Sequence, residues 1–185
     1  IGDGVYLGAI GREALYVNQD SDLLNNIYKT LLTEIRKIRE PLGYAFEERV
    51  FQIAIHLVRK KFPHSTQESL NRLRQNNRII TDEEIELDFF IQNETGDGEH
   101  SALLLAFLLE KLKKDQPNFF TGKLSLDRNW LPGGGNAWVR CTYDEDNIYI
   151  LDPYKNYLGR MDNYSEIRWA YERKSDLLKK YPRPV

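Results

Sequence analysis

The sequence has a single cysteine, Cys141, and its positive and negative charges nearly cancel. One cysteine excludes a disulfide within the chain and favours a reducing compartment such as the cytosol. A net charge of −2 gives no global positive field of the kind that draws a protein to nucleic acid or to a membrane surface. The longest apolar run, Ala102 to Leu109, is far shorter than the ~18–20 residues of a transmembrane helix. We therefore expect neither nucleic acid nor a membrane as a partner.

The composition is that of a globular domain, with 41% hydrophobic and 29% charged residues in a chain of 185. No linker rich in Gly, Ser or Pro divides the chain, so we predict one domain over residues 1–185. Its parts differ in pattern. Residues 1–90 are predicted to be mainly helical, residues 91–165 to hold a core helix and an antiparallel sheet, and residues 166–185 to form a C-terminal helix. The predicted fold class is α+β.

Hydrophobic periodicity predicts three helices in the first half of the chain. From Asp22 to Glu40, apolar residues recur at spacings of three and four, and Ser21 is suited to cap the first turn. A second amphipathic stretch begins at about Tyr44, ends at about Lys61 and is followed by Pro63. A short helix through Leu70 and Leu73 comes next.

The most apolar helix is predicted from Glu99 to Lys114, directly after a Gly-rich turn. A helix that is apolar on nearly all sides belongs at the centre of a domain. Beyond it the pattern changes to strands, at residues 123–127, 137–143, 148–151 and 157–161. The turn-rich residues 144–147 predict an antiparallel hairpin between the second and third strands. The stretch from Trp130 to Gly135 is predicted to be a loop.

A buried helix behind a tight turn, followed by an antiparallel hairpin, is the layout that a cysteine hydrolase needs. The start of the helix lowers the pKa of a nucleophilic thiol, a facing strand supplies the histidine base, and the next strand supplies an orienting aspartate. Three segments have the order and spacing of these parts: Gly96–Leu105, Asn136–Arg140 and Ile150–Pro153.

These segments resemble the transglutaminase-like and papain-like cysteine protease superfamily over about Asp97 to Pro153, roughly a third of the chain. Members of that superfamily read Gly-Asp-Cys before a Leu-rich helix, then His-Ala-Trp-Val, then an apolar pair with Asp-Pro. The resemblance implies a papain-like core, with a central buried helix packed on an antiparallel sheet and a helical N-terminal part preceding it.

The departures from the family pattern bear directly on activity. Gly98 stands at the position of the nucleophilic cysteine, and Asn136 stands at the position of the catalytic histidine. Only Asp152 keeps a residue of the triad. Glycine has no side chain with which to attack, and a neutral amide is not a base near neutral pH. The resemblance therefore implies a pseudoenzyme with no catalytic residues, no cofactor and no metal. An engineered loss of the cysteine would account for Gly98 but not for Asn136.

Several other residues fall around the expected cleft. His100, between acidic neighbours, is either a general base or metal ligand or a residue that packs at the start of the helix, and we favour packing. Trp130 lies beside a Gly run that suits peptide capture or is a plain hairpin loop, whereas Trp138 suits the core of a strand. The candidate cleft and binding residues are Asp97, Gly98, Glu99, His100, Trp130, Asn136, Trp138 and Asp152.

The remaining cysteine and histidines give weaker signals. Cys141 follows Asn136 by an odd number of residues, so the two side chains are expected on opposite faces of a strand. We therefore expect Cys141 to be packed rather than nucleophilic. His56 and His64 are expected to be structural, and the three histidines show no zinc-site spacing.

Three functions are compatible with this sequence. The first is a pseudoenzyme that binds a protein or peptide segment in the inherited cleft. The second is an enzyme with altered acid–base chemistry based on His100, Asp97, Glu99 or Asp152. The third is a purely structural domain of a larger protein. The superfamily also includes bacterial effectors delivered into host cells, and Leu124–Asn129 resembles those, so a secreted effector acting in a host cytosol is a further expectation about origin.

Overall fold

The structure, a computed structural model, describes residues 5–7, 12–80, 83–131, 134–161, 171, 173 and 175, with the backbone alone at 5–7, 130–131 and 134–135. The elements in chain order are β1 Val5–Leu7, β2 Ala14–Tyr16, α1 Asp22–Ile35, α2 Tyr44–Lys61, α3 Gln67–Asn77, β3 Glu84–Glu86, α4 Leu87–Gln92, α5 Gly98–Asp115, β4 Lys123–Leu131, β5 Gly134–Thr142, β6 Ile148–Asp152 and β7 Tyr157–Arg160. These elements confirm the predicted α+β fold class.

The first half of the chain combines helices with a small sheet. α1 begins at Ser21, whose hydroxyl accepts a hydrogen bond from the backbone N–H of Leu24, and α3 begins at Thr66 in the same way. β2 lies between β1, to which it is antiparallel, and β3, to which it is parallel. The sequence did not predict these strands, because each has only three residues and shows no alternation long enough to detect.

The second half places α5 against a four-stranded antiparallel sheet in the order β4-β5-β6-β7. α5 packs on β5 and β4 on one side and on α2 on the other. Its leucines are buried all round, as expected of a central helix. Residues on β5 and β6 alternate between two clusters: Val139 and Leu151 join the large core, whereas Trp138 and Ile150 join a smaller cluster with Tyr171.

Two predicted boundaries are wrong. α1 ends at Ile35 rather than at Glu40, because the N–H groups of Lys37 and Ile38 bond to carbonyls three residues back and tighten the last turn. The stretch from Trp130 to Gly135 is not simply a loop, since Trp130 pairs with Gly135 and Leu131 with Gly134 as β4 and β5 continue. Backbone pairing needs no side chain, so a Gly-rich run can extend a hairpin.

The predicted helix over residues 166–185 lies outside the described residues, apart from Tyr171, Arg173 and Ser175. Within the described part of the chain, no helix has both the length and the apolar character to cross a bilayer.

Candidate functional site

The site is built at the first residue of α5. Asp97 is the N-cap of this helix, and its carboxylate accepts a hydrogen bond of 3.0 Å from the backbone N–H of Glu99. Gly98 follows with ordinary helical geometry, since Gly43 is the only described glycine with a positive φ. The backbone therefore does not require glycine at position 98. What glycine provides there is space at the positive end of the helix dipole.

The structure brings Gly98, Asn136 and Asp152 together in a line. A Cβ placed on Gly98 would lie 3.1 Å from the side-chain oxygen Oδ1 of Asn136, which is on β5. The amide Nδ2 of Asn136 donates a hydrogen bond of 2.9 Å to Oδ2 of Asp152, at the end of β6. The three positions therefore meet although up to 54 residues of sequence separate them.

Asp152 fixes the orientation of the Asn136 amide. An ionised carboxylate only accepts hydrogen bonds, so the NH₂ group of Asn136 turns toward it and the oxygen turns toward Gly98. A neutral histidine in this position would present the same polarity, donating to the aspartate from one ring nitrogen and accepting at the other. Asn136 thus has a donor facing Asp152 and an acceptor facing Gly98, as a neutral histidine would, but it lacks the basicity of an imidazole.

Asp152 is completely buried and accepts from three donors. Besides Asn136, the backbone N–H of Lys155 donates at 2.9 Å and the hydroxyl of Tyr171 donates at 3.1 Å. Burial raises the pKa of Asp152, and these hydrogen bonds oppose part of that effect. The carboxylate has no contact with solvent, so its role in the site is to orient Asn136 rather than to exchange protons with a ligand.

Tyr154 forms the outer wall of the site. Its ring atom Cδ1 would lie 3.8 Å from a Cβ on Gly98, and its hydroxyl is 3.4 Å from the backbone oxygen of Ser65. Tyr154 is one of the few large apolar side chains of the described residues that is exposed. Tyr154 directly follows the Asp152-Pro153 pair in the chain, and this position is the sequence signal by which it could have been found.

His100 does not face this site. Its side chain is 1% exposed, and its two ring nitrogens lie between two carboxylates. Nδ1 is 2.9 Å from Oδ1 of Asp97, and Nε2 is 3.5 Å from Oε1 of Glu13, an ion-pair distance rather than a hydrogen bond. Beyond them, Arg74 binds Glu13 through two hydrogen bonds, and Arg12 binds Asp97 at 2.5 Å. We call these five residues the His100 network.

The His100 network determines the charge of each member. Burial alone would lower the pKa of His100, but Asp97 and Glu13 raise it overall. Burial would likewise raise the pKa of Glu13, yet the nearby His100 and the two hydrogen bonds from Arg74 lower it to about 2. The pKa of Asp97 is also lowered well below its usual range, by His100 and Arg12 acting against burial. The raised pKa of His100 and its position between two carboxylates favour the protonated form of the imidazole.

The contacts of Asp97 decide between two geometries at His100. The backbone N–H of Asp97 lies 3.2 Å from Nδ1 of His100 and can donate to it only if that nitrogen is unprotonated. The carboxylate of Asp97 lies 2.9 Å from the same Nδ1 and can accept from it only if the nitrogen carries a proton. Nδ1 therefore makes only one of these two hydrogen bonds. The shorter contact, the two flanking carboxylates and the raised pKa of His100 favour Nδ1–H donating to the carboxylate.

Three further candidate residues have different surroundings. The carboxylate of Glu99 is partly exposed and lies 3.7 Å from Arg12, and burial together with Asp97 raises its pKa. Trp138 is a core residue, 2% exposed and edge-on to Tyr171 at 5.0 Å. The side chain of Trp130 lies outside the described residues.

Cys141 is fully buried in the large core, whereas its near neighbour Trp138 belongs to the smaller cluster on the opposite face of β5. Burial raises the pKa of the Cys141 thiol to about 11. A buried thiol with a raised pKa is a poor nucleophile. No group of three or more potential metal ligands occurs among the described side chains.

The partners that hold His100 could not be predicted from the sequence. Glu13 and Arg74 lie 61 residues apart, the first just before β2 and the second on α3. Tyr171 and Arg12 likewise come from segments outside the three motif-like stretches. No periodic pattern or local motif marks such contacts, because they depend on how distant elements pack.

No protein-family model matches this chain, and no curated protein or solved structure matches it either. The interpretation of the site therefore depends on the geometry of the described residues and on the resemblance of the three sequence segments.

Proposed function

We propose that this chain is a non-catalytic, transglutaminase-like domain that binds a protein or peptide segment across Gly98 and Asn136, with the buried Asp152 behind them orienting the Asn136 amide. The observation that supports the proposal is the spatial order of these residues. The N-terminus of α5 lies beside the amide of Asn136 on β5, and that amide bonds to the buried carboxylate of Asp152 on β6. A cysteine, a histidine and an aspartate would be expected in the same order.

The chemistry of the site favours binding over catalysis. Gly98 has no side chain where a nucleophile would stand, and Asn136 directs an acceptor oxygen closely toward it, 3.1 Å from where a Cβ would lie. Asp152 and His100, the acid–base groups of the altered-enzyme alternative, are both buried and engaged by neighbouring side chains. An amide acceptor beside an open glycine is suited to receive a backbone N–H of an extended segment.

A peptide-display selection tests this proposal. A random peptide library is selected on the wild-type chain, and recovered peptides are then measured individually by fluorescence anisotropy. In the Gly98→Trp variant an indole would occupy the space beside Asn136 and Tyr154, so we expect binding to fall at least about tenfold, the loss of one central contact in an interface.

The matched control is Lys114→Trp, which adds the same side chain at the exposed opposite end of α5. This variant should bind the selected peptides like the wild type, and circular dichroism should show both variants folded. If the wild type yields no peptide, or if the two variants bind alike, the chain does not use the Gly98 site for peptides and the structural-domain alternative gains support.

A further inference from the structure

A groove of about 460 Å³ adjoins the Gly98 site. One wall is the end of α2, with His56, Arg59 and Lys60, and the opposite wall is formed by Pro153 and Tyr154. Ser101, one turn after Gly98 on α5, lines the groove between these walls. Tyr154 thus borders both spaces, because its ring also faces the open position at Gly98.

The groove is cationic. His56, Arg59 and Lys60 are at spacings of three and four on α2, so their side chains share one face of the helix. None of the described residues that line the groove is acidic. Across the groove, Lys155 extends the positive charge, with its Nζ 5.4 Å from the centre of the Tyr154 ring.

The cations of this groove are not used in ion pairs elsewhere in the described part of the chain. The ion pairs of α3, of the His100 network and of Arg173 each involve other residues. Basic residues in the last turn of α2 also offset the negative end of the helix dipole. That effect accounts for Arg59 and Lys60, but it does not account for Lys155, which lies beside the ring of the lining residue Tyr154.

We infer that the segment bound at the Gly98 site is acidic, and that its Asp or Glu side chains lie in the groove between α2 and Tyr154. This inference rests on the proposed function, which it deepens by naming the ligand class. A segment crossing Gly98 and passing Tyr154 brings its next side chains against Arg59 and Lys60. Complementary charge of this kind selects partners and speeds their association.

A peptide fits this groove better than a nucleic acid does. Duplex binding typically draws on about six to ten phosphate contacts. The groove offers Arg59 and Lys60 of α2 and the nearby Lys155, and the whole chain has a net charge of −2. The positive charge is therefore local, on the scale of a few carboxylates.

Fluorescence anisotropy with three labelled probes tests the inference: a Glu-rich peptide, the same peptide with Gln at every Glu, and single-stranded oligo-dT. We expect the Glu-rich peptide to bind at least about tenfold more tightly than the Gln peptide at low salt, and this preference to shrink as salt screens the charges. The double variant Arg59→Ala/Lys60→Ala should weaken binding of the Glu-rich peptide about tenfold, the combined effect of two exposed charge contacts.

The matched control is Arg36→Ala/Lys37→Ala, which removes the same two residue types from the exposed end of α1. This variant should bind the Glu-rich peptide like the wild type. Equal loss in both double variants would mean that only net charge matters and would overturn the inference. Tighter binding of oligo-dT, lost in the Arg59/Lys60 variant, would assign the groove to nucleic acid and overturn it as well.

The Gly98→Trp variant separates failure of this inference from failure of the proposed function. If display-selected peptides need Gly98 but not Arg59 and Lys60, the site binds peptides without acidic selectivity and the inference alone is wrong. If the Glu-rich peptide needs Arg59 and Lys60 but not Gly98, the groove binds anions on its own and the proposed function loses its support. Absence of any binding by the Glu-rich peptide also overturns the inference.

Discussion

The amide of Asn136 donates to the buried carboxylate of Asp152 across 2.9 Å. This single hydrogen bond determines which atom of Asn136 faces Gly98, since a carboxylate that accepts from three donors leaves the amide oxygen to point the other way. The orientation of the Asn136 amide is thus determined by Asp152, a buried residue that no ligand can reach.

Introducing a cysteine at position 98 and a histidine at position 136 should produce a reactive thiol. In the double variant Gly98→Cys/Asn136→His, the thiol would stand at the start of α5 beside an imidazole that Asp152 orients. We expect its pKa to fall below about 7.5, the upper end of the range for thiols in such surroundings. The measurement is the rate of alkylation by iodoacetamide as a function of pH, with the modified residue located by mass spectrometry.

The single variant Gly98→Cys is the control for that prediction, because it has the helix terminus but no imidazole. Its alkylation profile should lie at higher pH than that of the double variant. Superimposable profiles would show that residue 136 does not interact with a side chain at position 98, and the proposed correspondence with a triad would fail.

The His100 network predicts a stability that depends on pH. Because the pKa of His100 is raised in the folded chain, its protonation favours folding. The contribution is complete below about pH 6.5, the ordinary histidine value, and disappears as the pH rises through the folded-state pKa. The melting temperature of the wild type should therefore fall as the pH rises from about 6.5 through the folded-state pKa of His100. The His100→Gln variant should lack this part of the pH dependence.

His56→Gln is the matched control, since His56 is an exposed histidine on α2. It should melt with the wild-type pH dependence. At neutral pH we expect His100→Gln to cost about 3–5 kcal/mol, because it leaves Asp97 and Glu13 buried without the cation between them. A wild-type pH profile in the His100→Gln variant would show that the imidazole is neutral.

Two arginines of α3 should differ sharply in their effect on stability. Arg74 pairs with Glu13, whose side chain is 2% exposed, whereas Arg72 pairs with Glu68 where both side chains are 73% exposed. Arg74→Ala should lower the free energy of unfolding by about 3–5 kcal/mol, because it leaves a buried carboxylate with one partner fewer. Arg72→Ala should cost no more than about 0.5 kcal/mol.

Urea denaturation of both variants checks this difference. The two substitutions change the same residue type to alanine on the same helix, so helix propensity cancels between them. Equal losses would mean that Glu13 is accessible to water, contrary to the packing described for the His100 network.

Cys141 should be unreactive in the folded chain. Burial raises its pKa to about 11, so very little thiolate is present at neutral pH, and the side chain has no contact with solvent. An aromatic disulfide reagent should modify it only after denaturant is added. A Thr33→Cys variant supplies an exposed thiol on α1 as the positive control. Rapid modification of native wild-type chain would contradict the burial of Cys141.

Prediction from the sequence succeeded where local signals agree. The bounds of α2 follow from the amphipathic pattern between Gly43 and Pro63, and α5 stands out because its apolar residues surround the whole helix. The approach of Gly98, Asn136 and Asp152 to one another could be expected only from the resemblance of their segments. No periodicity relates a helix start to two strand positions so far apart.

What the sequence could not provide are contacts between distant elements. Glu13 directly precedes the three-residue strand β2 and looks like an ordinary surface acid, yet it is buried between His100 and Arg74. The groove beside Tyr154 likewise exists only because the end of α2 and the β6–β7 turn face each other. The Gly run after Leu131 predicts a loop, since glycine usually marks one, yet Gly134 and Gly135 pair with Leu131 and Trp130 as strand backbone.

The ordinary backbone at Gly98 has an evolutionary consequence. Because its main-chain angles suit any amino acid, and because Asn136 already has its donor held by Asp152, two substitutions separate this chain from one that presents a thiol beside an imidazole. A Cβ at position 98 would lie 3.1 Å from Oδ1 of Asn136, so the side chain at position 136 must move by a few tenths of an ångström, but the main-chain angles of residue 98 need not change. A lineage could therefore pass between the two states in single steps, and close relatives with either pair of residues are expected to share this backbone.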